Sequence, residues 1–208
     1  MMSARDVMLT SKIIPVISVK DADEMLRLAE ALMKGGVNIF EITLRTPKAL
    51  EAIEAVAKAF PDAITGAGTV INAETFKAVE DAGAKFAISP GLTRSLAASM
   101  KERNIPLLPG VATASEIMSG LEYGLDAFKL FPATVVGGVE ALKAFGGPFK
   151  DVLFCPTGGV NAGNAKSFLA LENVACVGGS WIVPSNLIQE KRFDEIARLT
   201  KEAVELLN

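Results

Sequence analysis

Histidine is absent from the 208-residue sequence and cysteine is scarce. The lack of histidine excludes Ser-His-Asp and Cys-His catalysis, histidine-based metal sites and a histidine general base. Any acid–base chemistry must therefore depend on Glu, Asp, Lys, Tyr or Cys side chains. The two cysteines, Cys155 and Cys176, both lie in apolar runs. We expect them to be buried packing residues rather than a disulfide or a redox site.

Clusters of positive charge and long apolar segments are also missing. The net charge is −3 and no stripe of Lys and Arg is visible, so binding to nucleic acid or to an anionic membrane has little electrostatic support. No apolar run reaches the roughly 18 residues of a transmembrane helix. Residues 1–12 lack the charged-then-apolar layout of a signal peptide. We therefore expect a cytoplasmic protein without nucleic-acid or membrane partners.

Short apolar, β-branched runs alternate along the chain with amphipathic stretches. The runs are continuous rather than alternating, which is typical of parallel strands buried on both faces. They predict eight strands, at residues 13–19, 37–44, 63–69, 86–89, 106–109, 127–131, 152–156 and 174–178. The stretches between them predict eight helices, at residues 21–34, 48–60, 73–82, 94–103, 115–123, 138–145, 163–171 and 192–207.

The predicted helices begin at recognisable capping residues. Asp21, Asn72, Thr93 and Thr113 precede helices as N-caps, and glutamates three residues after Asp21 and Thr113 give capping-box patterns. Thr46 and Pro47 predict a cap and a first-turn proline for the second helix.

Eight strand-then-helix units predict a parallel sheet with right-handed crossovers. The favoured fold is α/β, a single (β/α)8 TIM barrel over residues 1–208, close to the lower size limit of ~200 residues for such barrels. An open doubly wound sheet is the alternative. Residues 3–11 are predicted to form an extra N-terminal helix that closes the bottom of the barrel.

One lysine interrupts the apolar sixth strand. Lys129 is flanked by Phe128 and Leu130, whereas the other lysines fall on helices or at segment edges. Loss of hydration in such a setting favours a neutral amine, which can attack a carbonyl and form an imine. A lysine that reaches to the strand end, or that pairs with a carboxylate, is an equally weighted structural alternative.

Three polar residues share one face of the second strand. Glu41, Thr43 and Arg45 alternate along it, so in an extended strand they point the same way. If that face points into the barrel, Glu41 can move protons and Arg45 can hold a carboxylate with two hydrogen bonds. The structural alternative is an ion pair between Glu41 and Arg45.

Glycine-rich turns follow four other strands, at the end of the barrel where active sites lie. Thr69 ends the third strand and Pro90 follows the fourth. Glycine pairs follow the seventh and eighth strands at Gly158 and Gly159 and at Gly178 and Gly179, next to Thr157 and Ser180. Glycine-rich turns after strands seven and eight often bind phosphate through backbone N–H groups, although simple turns are an alternative.

These segments together resemble the bacterial 2-keto-3-deoxy-6-phosphogluconate and 4-hydroxy-2-oxoglutarate aldolases. The resemblance spans nearly the whole chain, and its segments lie at residues 41–45, 66–70, 86–91, 128–133, 155–160 and 178–181. It implies a class I aldolase without metal or other cofactor, generally a homotrimer. The implied substrate is a phosphorylated keto acid, cleaved to pyruvate and glyceraldehyde 3-phosphate in the Entner–Doudoroff pathway.

The resemblance also implies a role for each candidate residue. Lys129 is expected to form the Schiff base, and Glu41 to act as the acid–base group. Arg45 and Thr69 are expected to hold the pyruvate carboxylate beside Pro90. Thr157 is expected to contact the substrate hydroxyls, while the remaining residues are expected to bind the phosphate: Gly158, Gly159, Gly179 and Ser180.

Two other functions are compatible with the residues alone. One is an isomerase or epimerase in which Glu41 is the base and Lys129 acts only electrostatically. The other is a non-catalytic barrel that binds a phosphorylated metabolite. A metal-dependent aldolase is disfavoured because there is no histidine to build its usual site.

Overall fold

The computed structural model describes residues 2–208 and shows eight parallel strands with helices between them. The strands are β1 (Ile13–Ile17), β2 (Ile39–Thr43), β3 (Ile64–Gly68), β4 (Phe86–Ser89), β5 (Leu107–Val111), β6 (Ala127–Leu130), β7 (Leu153–Pro156) and β8 (Val177–Gly179). Neighbours in the sheet follow chain order from β1 to β7, and β8 pairs with β1. Two parallel bridges, Phe154 with Val174 and Thr157 with Gly178, join β7 to β8. The fold is therefore a (β/α)8 barrel, as predicted.

Within residues 2–208, ten α-helices surround and close the barrel. They are α1 (Ala4–Leu9), α2 (Ala22–Lys34), α3 (Ala49–Ala59), α4 (Ala73–Asp81), α5 (Arg94–Ser99), α6 (Ala114–Glu122), α7 (Gly138–Gly146), α8 (Ala165–Leu169), α9 (Ser185–Gln189) and α10 (Phe193–Leu207). None of them is long and apolar enough to cross a bilayer within residues 2–208.

The extra N-terminal helix lies at the predicted end of the barrel. Val7 and Met8 of α1 are completely buried. Arg5 donates hydrogen bonds to the Asp126 carboxylate and to the carbonyl of Asp151, each at 2.7 Å. Both acceptors lie just before a strand begins, so α1 covers the amino-terminal ends of β6 and β7. Active sites of this fold lie at the opposite end of the barrel.

The strand register determines which side chains point into the barrel. Neighbouring Cα partners in a parallel sheet share a face, and successive residues alternate. Val16 of β1 pairs with Glu41 of β2, and both lie on the interior face. The residues of the other strands that share this face include Gly66, Gly110, Lys129 and Cys155. The phenylalanines of β2, β6 and β7 point outward instead and pack beneath the helices, completely buried: Phe40, Phe128 and Phe154.

The predicted caps of α4, α5 and α6 are confirmed. The side chains of Asn72, Thr93 and Thr113 each accept a hydrogen bond from a backbone N–H in the first turn. Glu116 completes the capping box at Thr113, accepting from its N–H at 2.9 Å. Asp21 also caps its helix, but the Glu24 carboxylate accepts from the N–H of Lys20 instead of Asp21.

The prediction for the start of the second helix was wrong. The Thr46 hydroxyl donates to the carbonyl of Val19 at 2.8 Å, so it holds the loop after β2 to the loop after β1 instead of capping a helix. Helix α3 begins later, at Ala49, without a side-chain cap. Helix α9 was not predicted, because its five residues lie in a segment that reads as a loop after β8.

Gly120 determines how closely α6 approaches the barrel. A Cβ atom built at Gly120 would overlap the ring of Phe128, with 2.5 Å to its Cζ atom. Alanine normally stabilises a helix by about 1 kcal/mol relative to glycine, but an extra methyl group in a packed core costs about 1–3 kcal/mol. We expect Gly120→Ala to lower the free energy of unfolding by about 1 kcal/mol, measured by urea denaturation.

Gly146 provides the matched control for this prediction. It also lies in a helix, α7, and a Cβ there would meet no atom closer than 3.4 Å. We expect Gly146→Ala to leave stability unchanged or to raise it slightly. Equal effects of the two substitutions would contradict the proposed overlap at Phe128.

Candidate active site

The central feature of the site is a lysine and a glutamate that meet inside the barrel. Lys129 of β6 and Glu41 of β2 come from strands on opposite sides of the barrel, four strands apart. The Lys129 Nζ atom donates to Glu41 Oε1 at 3.0 Å and to Oε2 at 3.3 Å. The two residues are only 5% and 2% exposed, respectively. The two predicted catalytic residues therefore form one buried, hydrogen-bonded pair.

The neighbours of this pair keep it largely out of water. The ring of Phe131 lies 5.4 Å from Lys129 Nζ, measured to the ring centroid. Glu41 makes no other side-chain hydrogen bond within residues 2–208. A proton can therefore pass between amine and carboxylate along a single short contact.

Two glycines lie on strands that neighbour the pair. Gly66 of β3 and Gly110 of β5 stand in register with Glu41 and Lys129, respectively, on the interior face. A Cβ at Gly110 would overlap the carbonyl of Pro90, so that carbonyl lies over the interior beside Lys129. Pro90 thus contributes a backbone acceptor to the wall of the site, while its own ring is exposed.

Arg45 lies outside the strand that carries Glu41. Strand β2 ends at Thr43, and Arg45 is exposed in the following turn. The alternative of a Glu41–Arg45 ion pair is wrong, because Glu41 pairs with Lys129. Within residues 2–208 the Arg45 guanidinium has no carboxylate within 4 Å. It lines a cavity of about 170 Å³ together with Thr43 and Ser180, so it can meet an anion at the mouth of the barrel.

Thr43 and Thr69 have different local roles at this mouth. Thr43 is buried, and its hydroxyl donates to the carbonyl of Ile17 at 2.8 Å, which joins β2 to β1. Thr69 has a φ of 64°, a left-handed conformation that a β-branched residue rarely adopts. Such backbone conformations are concentrated at binding sites. Thr69 is half-buried at the rim, directly after β3.

A second group of candidates lies where β7 and β8 end. Thr157 is buried and bridges to Gly178. Gly158 and Gly159 have φ values of 97° and 77°, which glycine adopts without strain. The carbonyl of Gly158 faces the protein, where it accepts from the N–H and the hydroxyl of Thr134 at 3.1 and 3.2 Å.

Several backbone N–H groups of these turns are free to bind an anion. No hydrogen bond within residues 2–208 uses the N–H of Gly158, Gly159, Ser180 or Trp181 as its donor. Ser180 is exposed next to them. Consecutive free N–H groups in turns attract anions through their dipoles, without the need for net positive charge. Gly179 is itself buried in β8 and positions the turn that follows this strand at Ser180.

Comparison with known proteins identifies the family. The sequence profile of KDPG and KHG aldolase matches residues 4–199. This chain belongs to the KDPG and KHG aldolase family. It is 50% identical to the "KHG/KDPG aldolase" of Escherichia coli K12 over 203 residues, which is 98% of this chain and 95% of the relative. The enzyme is thus an aldolase, an aldehyde-lyase.

Solved structures of relatives have the same fold. A KDPG aldolase from Legionella pneumophila, with pyruvate captured at low pH as a covalent carbinolamine intermediate, is similar with a TM-score of 0.95 and 49% identity over 97% of this chain and 98% of that one. The aldolase of Zymomonas mobilis ZM4, with 3-phosphoglycerate, has a TM-score of 0.90 and 43% identity over 97% of this chain and 94% of its own.

Sequence reasoning missed one group of residues in the barrel of this aldolase. Cys155 is in register with Lys129, and its Sγ atom lies 3.8 Å from the Thr157 hydroxyl. A hydrogen bond with Cys155 and complete burial hold the pKa of Cys176 well above its ordinary value, so this thiol stays protonated. Both cysteines are buried and unpaired, in agreement with the packing role predicted for them. The alternation along β7 could have indicated which face Cys155 is on, but its position beside Lys129 depends on the register of the two strands.

Proposed function

We propose that this enzyme cleaves 2-dehydro-3-deoxy-6-phosphogluconate to pyruvate and glyceraldehyde 3-phosphate through a Schiff base on Lys129. The observation that carries the proposal is the buried contact of 3.0 Å between Lys129 Nζ and Glu41 Oε1 inside the barrel. It supplies a nucleophilic amine and a proton acceptor at one point, which imine chemistry requires.

Imine formation begins when Glu41 takes a proton from Lys129. The neutral amine attacks the keto carbon C2 of the substrate and gives a carbinolamine. Glu41 returns a proton to the departing hydroxyl, which leaves as water, and a protonated imine remains. The relative from Legionella pneumophila was captured with pyruvate as a covalent carbinolamine, which supports the same first step here.

The protonated imine then accepts the electrons of the bond that breaks. Glu41, directly or through a water molecule, removes the proton of the C4 hydroxyl. The C3–C4 bond breaks, C4 becomes the carbonyl carbon of glyceraldehyde 3-phosphate, and the electron pair gives an enamine on Lys129. Protonation of C3 by Glu41 forms the pyruvate imine, and hydrolysis releases pyruvate and the free lysine.

We propose that the two ends of the substrate bind polar groups on two parts of the mouth. We assign the pyruvate carboxylate to Arg45 and Thr69, beside the Pro90 carbonyl, because Arg45 is without a carboxylate partner in residues 2–208. Thr157 contacts the substrate hydroxyls from the buried wall. The phosphate binds the free N–H groups around Gly158, Gly159 and Ser180. Gly179 positions Ser180, which follows it in the chain. The Zymomonas mobilis structure contains 3-phosphoglycerate, a ligand with the same two anionic groups.

The wider setting of the reaction is also a proposal. We place the enzyme in the cytoplasm, in the Entner–Doudoroff pathway, as a homotrimer. Cleavage of unphosphorylated 4-hydroxy-2-oxoglutarate to pyruvate and glyoxylate is a second activity of the same site, in line with the double name of the Escherichia coli relative.

Chemical trapping tests the Schiff base directly. The protein is incubated with pyruvate and borohydride, digested, and analysed by peptide mass spectrometry. We expect a reduced pyruvyl adduct on the peptide that contains Lys129 and none in Lys129→Met. An active, folded protein without this adduct would contradict the mechanism and favour an isomerase or a binding protein.

Arg45 is expected to affect substrate binding more than turnover. A hydrogen-bonded charged contact contributes about 1.5–3 kcal/mol, which corresponds to roughly 10- to 150-fold in an equilibrium constant. We expect Arg45→Gln to raise KM for the keto acid by about this factor, with a smaller change in kcat, measured in steady state. A kcat that falls as much as kcat/KM would contradict the assignment.

The control for Arg45 is another arginine that is not at the mouth. Arg198 lies on α10 and pairs with Glu202 on the outer surface. We expect Arg198→Gln to leave both kinetic constants unchanged.

A further inference from the structure

Gly68, the last residue of β3, lies against the side chain of Glu41. It is buried, and its register partner is Thr43 on the interior face. A Cβ atom built at Gly68 would lie 2.8 Å from Glu41 Cγ and 3.0 Å from Cδ, and it would overlap Oε1. Glu41 therefore occupies the space that a side chain at position 68 would take.

The position of the Glu41 carboxylate depends on this space. Within residues 2–208 its hydrogen bonds all come from Lys129, so no other hydrogen bond holds it in place if it is pushed aside. The overlapping atoms are the far end of a side chain, not backbone, so the barrel can accept a methyl group at Gly68 by moving Glu41. A shift of about 1 Å in a catalytic group can lower the rate about 10²-fold.

We propose that Gly68 is a positioning residue, which keeps the Glu41 carboxylate within proton-transfer distance of Lys129. The inference rests on the proposed role of Glu41 as the acid–base group. It adds a requirement at a position that has no functional group of its own: the residue at 68 must have no side chain.

Proton exchange on pyruvate isolates the proton transfer that we assign to Glu41. In D₂O, the Lys129 imine exchanges the methyl protons of pyruvate through the enamine, without an aldehyde, and the exchange is followed by NMR. We expect Gly68→Ala to slow this exchange by about 10²-fold, while the end-point borohydride adduct on Lys129 still forms. Gly120→Ala, destabilised away from the site, serves as the control and is expected to exchange normally when folded.

A double-mutant cycle separates positioning from a general structural effect. If Gly68 acts through Glu41, Gly68→Ala should slow exchange no further in the Glu41→Gln background. If Gly68→Ala slowed exchange by the same factor in the wild type and in Glu41→Gln, the proposal would be overturned.

Thermal unfolding provides a second test that remains valid if Gly68→Ala folds poorly. Glu41→Ala removes the overlapping atoms, so Gly68→Ala should lower the Tm less in the Glu41→Ala background than in the wild type. An equal or larger decrease would overturn the proposal. Failure of the proposed function would be seen separately, as a wild-type protein that neither exchanges pyruvate protons nor forms the adduct.

Discussion

Lys129→Met is expected to abolish aldol cleavage, with kcat/KM lowered by at least about 10⁴-fold, because a methionine thioether cannot form an imine. The assay couples pyruvate release to lactate dehydrogenase. Lys85→Met is the matched control: Lys85 lies just before β4 at the closed end of the barrel, and its amine donates to the carbonyl of Pro61. We expect it to keep full activity. Retained cleavage in Lys129→Met would exclude the Schiff-base mechanism.

Lys129→Met is also expected to lower the stability of the barrel. Removal of one partner from a buried ion pair costs about 3–5 kcal/mol when the other charge remains. Replacement of both charges by well-packed hydrophobic residues of similar volume is often neutral or stabilising. We therefore expect Lys129→Met to unfold at lower urea concentration than the double variant Lys129→Met/Glu41→Met.

That order of stability would show that the pair is retained for chemistry rather than for folding. If the double variant were the less stable of the two, the pair would instead contribute net stability to the barrel. Both variants are expected to be inactive, so the comparison of their stabilities is independent of catalysis.

Glu41→Gln is expected to lower kcat by about 10²–10⁴-fold, which is the usual contribution of a positioned acid–base group. Glutamine preserves the shape of the side chain and can still accept a hydrogen bond from Lys129, but it cannot take up a proton. We therefore expect the borohydride adduct with pyruvate to form at long incubation, while the exchange of pyruvate methyl protons falls with kcat.

The control for this prediction is a glutamate of the outer surface. Glu51 is exposed on α3 and pairs with Lys48 at 2.6 Å. We expect Glu51→Gln to leave kcat unchanged, since exposed ion pairs contribute about 0–1 kcal/mol to stability and none of this pair reaches the site. A Glu41→Gln enzyme with wild-type kcat would require another proton acceptor.

The sequence determined the architecture because its signals are local and repeated. Each continuous apolar run became a strand at or near the predicted position, and the capping residues Asn72, Thr93 and Thr113 start helices as expected. Polar residues in apolar strands are costly to bury without a partner. For this reason the sequence alone marks Glu41 and Lys129 as candidate site residues.

Only the tertiary structure decided which of these residues meet. Glu41 and Lys129 are 88 residues apart, and their contact depends on barrel closure and on strand register, which no local pattern encodes. The end of β2 at Thr43 separates Arg45 from Glu41, because the strand stops two residues before the alternation in the sequence does. Barrel closure also explains the role proposed for Gly68. The absence of a side chain at this position leaves space for Glu41, which extends past β3 toward Lys129.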